Sequence, residues 1–342
     1  MNNFPYKWFL KDSYPAKGID KNNYKVFGTF ICGGGSSMGY KLAGFNHLGG
    51  IEIDPQVADI YKTNHNPKHL YIEDLRNFNQ SDNLPNELYD LDILDGSPPC
   101  SSFSMVGNRD KDWGKKKKFR EGQAEQRLDD LVYVYIETIK KLQPKVALLE
   151  NVKGLIHGNA KSYAKKMKKV FEEAGYNVQV FLLNAATMGV PQKRERVFFI
   201  GLRKDFKLPK LKLEFNEKLI PYRVIDDGTI GKLITRELLK YWKLSREGSS
   251  LSKVHHKGNY FSSIKVSREK VCNTIIADGG SALLHNIKPH HLSDNNLCNI
   301  GSYPMDYNFK SIRAKYLIGM SVPPIMIAQI ANQIKNQWLD EL

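Results

Sequence analysis

The sequence predicts an α/β protein in which a mostly parallel sheet carries helices on both faces, with a smaller, irregular domain attached. Short apolar runs alternate with helical patterns as far as Arg203, which is the order of βαβ units. A glycine-rich turn follows the first apolar run, and the alternation stops after Arg203. We therefore expect one domain over 1–203, completed by a C-terminal helix within 309–342, and a second domain over 204–308.

The composition is typical of a soluble globular protein. Hydrophobic residues make up 41% of the 342 residues, and no apolar run approaches the roughly 20 residues of a membrane span. The N-terminus lacks the basic segment followed by an apolar segment that marks a signal peptide. We expect a cytoplasmic, monomeric protein with no membrane segment.

The cysteines indicate neither a metal site nor a disulfide framework. They form no Cys-x-x-Cys pair, and none has histidines near it at zinc-ligand spacing. The chain has four of them: Cys32, Cys100, Cys272 and Cys298. We expect no bound metal.

The charge balance favours a polyanionic partner. Lysine and arginine number 51 against 36 aspartates and glutamates, which gives a net charge of +15. A surplus of this size favours nucleic acid first. A solubility surplus with no partner is the alternative, because an AT-rich genome also enriches lysine. Charge alone leaves both interpretations open.

The first strand, turn and helix resemble half of a nucleotide-binding unit. An apolar strand over Tyr24–Ile31 leads into the glycine turn Cys32–Gly35, and the next helix carries Met38 and Leu42 one turn apart. The following strand ends in Glu52, and an acid at this distance can bind ribose hydroxyls. The glycines do not have Gly-x-Gly-x-x-Gly spacing, which favours a nucleoside-type cofactor over a dinucleotide.

Four chemically active side chains fall at the ends of predicted strands. Because ligands bind at the carboxyl ends of parallel strands, we expect these side chains to meet at one rim of the sheet. They are Glu52, Asp74, Cys100 and Glu150. A rigid Pro-Pro turn presents the thiol of Cys100, as a nucleophile requires, although an isolated Pro-Pro-Cys is also compatible with an ordinary half-buried cysteine.

The remaining segments complete the alternation. The polar, lysine-rich stretch 104–126 is either a mobile lid or a solvated loop. Three further helices and three further strands are predicted. The helices are Leu131–Lys141, Ala160–Ala174 and a C-terminal one whose apolar face carries Ile327, Ile330, Ile334 and Trp338; the strands are Lys145–Leu149, Val178–Leu183 and Val197–Gly201.

Five motifs in this order resemble the cytosine-5 DNA methyltransferases of restriction-modification type, over nearly the whole chain. They are Phe30–Gly35, Pro99-Cys100 followed by Phe103-Ser104, Glu150-Asn151-Val152, Gln192–Arg196 and Gly319–Val322. The resemblance implies a Rossmann-like, S-adenosylmethionine-dependent methyltransferase fold, with 204–308 as the target-recognition domain. The sequence departs from the family pattern at Cys32, where glycine is usual, and at Met320, where asparagine is usual.

The resemblance implies a set of cofactor-binding residues for S-adenosylmethionine. Phe30 would face the adenine ring, Glu52 the ribose hydroxyls and Asp74 the adenine amine, while Pro99 and Leu131 would line the pocket. The remaining members of the set are Ile31, Cys32, Gly33, Gly34, Gly35, Ile53, Leu75, Ser321 and Val322.

The resemblance also implies the chemistry. Cys100 would attack carbon 6 of a flipped-out cytosine, Glu150 would donate a proton toward ring nitrogen 3, and the carbon-5 position would then accept the methyl group. Arg194 and Arg196 would lie near the target base and its sugar-phosphate. The structural alternatives are a salt-bridged carboxylate for Glu150 and a surface cluster with Glu195 for the two arginines.

Three other functions remain open at this stage. A transfer-RNA cytosine methyltransferase of the same fold keeps the chemistry and changes the substrate. A non-catalytic binder of DNA and cofactor would not need Cys100 and Glu150, and a nicotinamide-dependent reductase would need a different glycine spacing. The favoured partner is double-stranded DNA, with a restriction endonuclease that acts on the same site but makes no direct contact.

Overall fold

A computed structural model of the chain describes residues 4–12, 14–99, 130–157, 160–277, 280 and 282–342. The predicted nucleophile Cys100 and the predicted lid over 104–126 lie outside these described residues.

The strands and helices follow the predicted alternation. In chain order the strands are β1 (Lys25–Thr29), β2 (Asn46–Ile51), β3 (His69–Tyr71), β4 (Ile93–Gly96), β5 (Val146–Val152), β6 (Tyr176–Asn184), β7 (Gln192–Lys193), β8 (Glu195–Arg203), β9 (Ile230–Leu233), β10 (Ser249–Ser250), β11 (Ser263–Lys265), β12 (Cys272–Asn273), β13 (Ala282–Leu284) and β14 (His290–Leu292). The helices are α1 (Gly35–Leu42), α2 (Pro55–His65), α3 (Leu75–Gln80), α4 (Leu131–Leu142), α5 (Ala160–Glu173), α6 (Tyr222–Ile225), α7 (Arg236–Leu244), α8 (Asp294–Gly301), α9 (Ala314–Met320) and α10 (Pro324–Gln337).

The main sheet confirms the predicted fold class. Within the described residues it has seven strands in the order β3-β2-β1-β4-β5-β8-β6. Each pair among β1 to β5 is parallel, and β8 runs antiparallel to both of its neighbours. The parallel strands are near-continuous apolar runs because both of their faces are covered by helices.

Alternate strand residues divide the core between the two faces of the sheet. Leu148 on β5 packs into one cluster with residues of α1, α2 and α10, whereas Leu149 packs into a second cluster with α3, α4 and α5. The two clusters therefore correspond to the two helical layers, as the period of two along a strand requires.

The strand order creates a crevice between β1 and β4. From β1 the chain moves outward through β2 to β3, and it then crosses to the other side of β1 to form β4. The loops after β1 and β4 therefore leave in opposite directions, and open α/β sheets bind ligands at such a switch point. The glycine turn follows β1, and Ser97 and Pro98 follow β4, so both predicted motifs lie at this crevice.

The smaller unit contains a second sheet, whose five strands within the described residues have the order β10-β11-β13-β14-β9. Its own core is small and contains Ile234, Trp242, Leu251, Ala282 and Leu284. Segments on either side of it, which include Leu211 to Ile225 and Leu292 to Tyr307, contribute residues to the large core instead. The predicted division at 203 and 308 stays a prediction.

The C-terminal region packs against the main sheet. The stretch Ala314–Glu341 is long and apolar enough to cross a membrane by length and composition, but 78% of its most apolar window is buried inside the protein. Core helices of soluble proteins meet the same criterion, and α10 lies against α1 in the large core.

Candidate active site

The loop after β1 has an unusual backbone. Phe30 has φ 55°, Cys32 has φ 47° and Gly34 has φ 78°. This left-handed region is favourable for glycine and costs other residues about 1–2 kcal/mol each. Cys32 therefore takes a glycine-like conformation at the position where the resembling family usually has glycine.

Two glycines of this loop allow close contacts that a side chain would block. A Cβ built on Gly34 would lie 2.2 Å from Nε2 of His65, and one on Gly35 would lie 2.3 Å from the carbonyl oxygen of Val322. The second contact brings the closing motif, Ser321 and Val322, directly against the start of α1. Two predicted parts of one site, far apart in the sequence, are thus adjacent.

Two buried tyrosines hold the loop after β1 and the closing motif that packs against it. The hydroxyl of Tyr307 donates to the carbonyl of Gly33 at 2.6 Å, and the hydroxyl of Tyr303 donates to Oγ of Ser321 at 2.5 Å. The Cys32 thiol is hydrogen-bonded to Ser321, and burial raises the pKa of that thiol to about 12. Cys32 is therefore a neutral thiol that packs in the loop and does not act as a nucleophile.

Glu52 receives its hydrogen bonds from the backbone. The N–H groups of Cys32 and Asp54 donate to its two carboxyl oxygens at 3.0 and 2.9 Å. Burial raises the pKa of Glu52 to about 7, against the effect of these backbone donors. The half-buried carboxyl therefore links the β1 loop to the loop after β2, and Ile53 beside it is also half-buried.

Asp74 is the N-cap of α3, and not the last residue of a strand. Its carboxylate accepts from the N–H of Arg76 at 2.8 Å and forms an ion pair with the Arg76 guanidinium at 2.9 Å. That guanidinium also reaches Asp130 at 2.6 Å. Leu75 and Leu131, the first residues of α3 and α4, are both buried, so this end of the predicted pocket has apolar walls and a fixed carboxylate.

The segment after β4 is held by β5. The side-chain amide of Asn151 donates to the carbonyl of Pro98 at 3.2 Å, and the Ser97 hydroxyl is hydrogen-bonded to Glu150. Pro99 is half-buried and is the last described residue before Cys100. The turn that leads to the predicted nucleophile is therefore anchored to the strand that carries the predicted acid.

Glu150 lies at the rim of the sheet with an arginine partner. It is 7% exposed, and Nε of Arg196 lies 2.9 Å from its Oε1. Burial raises the pKa of Glu150, although Arg196, Arg194 and the Ser97 hydroxyl act in the opposite direction. Burial outweighs these partners, so the Glu150 carboxyl holds its proton to a higher pH than an exposed glutamate does.

Arg194 and Arg196 have different surroundings. Arg196 is half-buried beside Glu150, whereas Arg194 is 1% exposed. The Arg194 guanidinium donates to the carbonyl of Ile275 at 3.0 Å and to those of Gly319 and Ser321 at 2.9 Å each. Arg194 therefore joins Ile275, α9 and the closing motif, while Arg196 is the arginine that forms the ion pair with the predicted acid.

The four predicted strand-end groups are only partly described. Glu52 and Glu150 lie on either side of the β1–β4 crevice, Asp74 lies beyond Glu52, and Cys100 lies outside the described residues. Within the residues that the structure describes, no group of three or more histidine, cysteine, aspartate or glutamate side chains is placed to hold a metal ion.

Sequence reasoning missed several residues that build the site. Asn151 belongs to the Glu150-Asn151-Val152 motif, and that motif could have identified it as a site residue. Tyr303 and Tyr307 had no local signal: Tyr307 donates to Gly33, 274 residues earlier in the chain, and Tyr303 donates to Ser321, 18 residues later. Asp95 stood in the strand before Cys100 and received no role.

Comparison with known proteins gives one family match. A family model described as C-5 cytosine-specific DNA methylase matches residues 24–336. The Type II methyltransferase M.FnuDI of Fusobacterium nucleatum is 37% identical over 191 residues, which cover 56% of this chain and 50% of that protein. The Type II methyltransferase M1.HphI of Haemophilus parahaemolyticus is 26% identical over 342 residues, which cover 91% of this chain and 87% of that protein.

Solved structures share the fold at low sequence identity. A crystal structure of a Spodoptera frugiperda DNMT2 mutant aligns with a TM-score of 0.65 and 16% identity, covering 91% of this chain and 99% of that chain. At this identity the similarity establishes the fold alone. The match to M.FnuDI spans about half the length of that relative.

Proposed function

The chain belongs to the C-5 cytosine-specific DNA methylases, and from this membership we propose that it transfers a methyl group from S-adenosylmethionine to carbon 5 of a cytosine in double-stranded DNA. The observation that carries the proposal is the buried Glu150. It is held by Arg196 at the carboxyl end of β5 and hydrogen-bonded to Ser97 in the turn that leads to Cys100.

The residues at the β1–β4 crevice fit an adenosyl cofactor. Glu52 presents a half-buried carboxyl of the kind that binds ribose hydroxyls, and Phe30, in the loop whose Cys32 N–H donates to Glu52, is also half-buried. Asp74, Leu75, Leu131 and Pro99 would complete the adenine side, and Gly33 to Gly35 with Ser321 and Val322 the methionine side. The cofactor would supply an electrophilic methyl group.

Cys100 would act as the nucleophile, because carbon 5 of cytosine is unreactive until a thiolate adds to carbon 6. A sulfur–carbon bond forms, and the electron pair moves toward ring nitrogen 3. Glu150 supplies a proton at that nitrogen, which stabilises the developing charge. After carbon 5 is methylated, its proton passes to water, the electron pair of that C–H bond restores the double bond between carbons 5 and 6, and Cys100 leaves as a thiolate. The proton on nitrogen 3 returns to Glu150.

Arg196 would orient Glu150 and moderate its acidity. An arginine at 2.9 Å lowers the pKa of the carboxyl, while burial raises it by more, so the pKa lies above that of an exposed glutamate. Arg194 would be a positioning residue, since both terminal nitrogens of its guanidinium donate to backbone carbonyls. We place it behind the base pocket and not at the sugar-phosphate.

DNA would lie between the two sheets. The target base must leave the duplex to reach Glu150, at a cost of a few kcal/mol. The second domain would read sequence in the major groove, and the lysine-rich 104–126 segment would close on the DNA. The net charge of +15 suits such a partner. A restriction endonuclease of the same specificity, and action on DNA in the cytoplasm, belong to this proposal.

Expression in a host without cytosine methylation, followed by bisulfite sequencing, tests the function and identifies the target. We expect one sequence context to be enriched in 5-methylcytosine and the Cys100→Ser variant to give none. Purified protein with radiolabelled cofactor should label duplex DNA and not transfer RNA. Label on transfer RNA alone, or the absence of any enriched DNA context, would overturn the DNA assignment.

A further inference from the structure

Asp95 is a buried carboxyl for which the reaction above has no use. It is 4% exposed on the central strand β4, where its backbone pairs with Gly28 of β1 and Leu148 of β5. It precedes Cys100 by five residues in the sequence. A charged group at such a depth is costly unless it has a specific role or partner.

The partners of Asp95 are hydroxyl groups on α1. The hydroxyl of Tyr40, which is fully buried, donates to Oδ1 of Asp95 at 3.3 Å. The Ser36 hydroxyl, in the first turn of the same helix, is also hydrogen-bonded to this carboxyl. Positions four apart lie on one face of a helix, so both hydroxyls point at β4.

Helix α1 begins at the cofactor loop. Gly35 is its first residue, and the loop preceding it carries Cys32, Gly33 and Gly34. On the other side of Asp95, Ser97 is hydrogen-bonded to Glu150, and Pro98 accepts from Asn151. Asp95 is therefore the link between the helix that presents the cofactor loop and the segment that leads to Cys100.

We propose that Asp95 is a positioning residue whose carboxyl holds the first turn of α1 against the end of β4, so that the cofactor loop and the Cys100 turn keep a fixed relation. This inference rests on the proposed function. It predicts that loss of the carboxyl weakens cofactor binding and slows methyl transfer together, because both loops lose the same anchor.

The test compares Asp95 with Asp92, which immediately precedes the same strand at its amino end. Asp92 is also buried, forms an ion pair with Lys145 at 2.7 Å and accepts from the N–H of Lys25 at 2.7 Å. Its contacts lie at the amino end of β4, away from the loops. Asp92→Ala is therefore a matched control for loss of a buried carboxyl without loss of the link.

Binding of S-adenosylhomocysteine is measured by isothermal titration calorimetry, with melting temperature and methyl transfer measured alongside. For Asp95→Ala we expect binding to weaken by roughly tenfold or more and kcat to fall as well. Asp95→Asn keeps an acceptor for Tyr40 and should recover most of the affinity. Asp92→Ala should lower the melting temperature and leave affinity unchanged.

Equal binding by Asp95→Ala and the wild type, or an equal loss in Asp92→Ala, would overturn the inference. If Asp95→Ala does not fold, Tyr40→Phe and Ser36→Ala each remove one donor and should each weaken binding severalfold; unchanged binding in both overturns it. A wild type that binds S-adenosylhomocysteine but methylates no DNA refutes the proposed function and leaves the Asp95 test intact. A wild type that binds none refutes both.

Discussion

Glu52 and Glu150 occupy equivalent positions on either side of the β1–β4 crevice, but their hydrogen-bond partners differ. Glu52 directly follows β2 and Glu150 lies near the carboxyl end of β5, and burial raises the pKa of both. The donors to Glu52 are backbone N–H groups of its own loop and of the β1 loop. The partners of Glu150 are the side chains of Arg196 and Ser97.

This difference separates a carboxyl that binds the cofactor from a carboxyl that takes part in the reaction. Backbone donors fix a carboxyl in one place and favour its charged form, which suits an acceptor for hydroxyl groups. The partners of Glu150 are side chains, and one of them belongs to the turn that leads to Cys100, so this carboxyl lies beside the predicted nucleophile. Burial raises the pKa of both carboxyls, so their position and not their acidity separates the two roles. We therefore assign binding to the Glu52 side of the crevice and chemistry to the Glu150 side.

The Glu150→Gln substitution should have the largest effect, and it should act on the chemical step. The amide keeps the size of the acid and cannot supply its proton, so kcat should fall by roughly 10²–10⁴-fold. Affinity for S-adenosylhomocysteine should stay unchanged, because the cofactor side is intact. Steady-state kinetics and calorimetry measure both quantities. Glu195→Gln is the control, since Glu195 pairs with Lys153 at 3.0 Å and not with the acid; a similar loss there would refute the assignment.

The Glu52→Gln substitution should have a smaller effect, and it should act on cofactor binding. One oxygen still accepts, but the NH₂ group now opposes a backbone N–H, so the KM for the cofactor should rise by roughly tenfold. The kcat at saturating cofactor should change little. Initial rates over a range of cofactor concentrations give both values, with the surface variant Glu137→Gln as the control. A fall in kcat with unchanged KM would contradict the division between the two sides.

The Arg196→Gln substitution should change the pH dependence of kcat. Arg196 lowers the pKa of Glu150, so its removal raises that pKa further. The rate requires protonated Glu150 and therefore declines as pH rises through the pKa. In the variant this alkaline decline should move to higher pH, and the maximal rate should fall because the acid is no longer oriented. Profiles of kcat against pH measure the shift; a move to lower pH would contradict it.

Cys32→Gly and Cys32→Ala test the strained loop, with the smallest effect. Both remove the thiol, but only glycine adopts φ 47° without strain. The glycine variant should be more stable than the alanine variant by about 1 kcal/mol. Chemical denaturation gives the two free energies of unfolding. Equal stabilities would show that the left-handed backbone carries no cost at this position.

The elements of the main sheet could be predicted because buried parallel strands are continuous apolar runs between amphipathic helices. The direction of β8 could not, since the run Val197–Gly201 reads the same either way and only its short connection from β6 makes it antiparallel. Asp74 looked like the end of a strand because an N-cap and a strand-end acid have the same local signature. The motifs predict the roles of Glu52 and Glu150, whereas their hydrogen-bond partners can be identified only in the folded protein.

The two arginines of the Gln192–Arg196 motif cannot be distinguished from the sequence alone. Arg194 and Arg196 are two positions apart, which gives no reason to separate them. The structure separates them because the chain leaves β7 at Arg194, where its guanidinium meets carbonyls from two distant segments. Contacts over such separations leave no local pattern.

These contacts also bear on the order of events during synthesis. The carbonyls that accept from Arg194 come 81, 125 and 127 residues later in the chain. A nascent chain that has already made Cys100, Glu150 and Arg196 still lacks the groups that seat Arg194. Contacts over such sequence separations carry a larger loop-closure cost than local ones do. The set of carbonyls that seats Arg194 is therefore complete only after Ser321 has been synthesised.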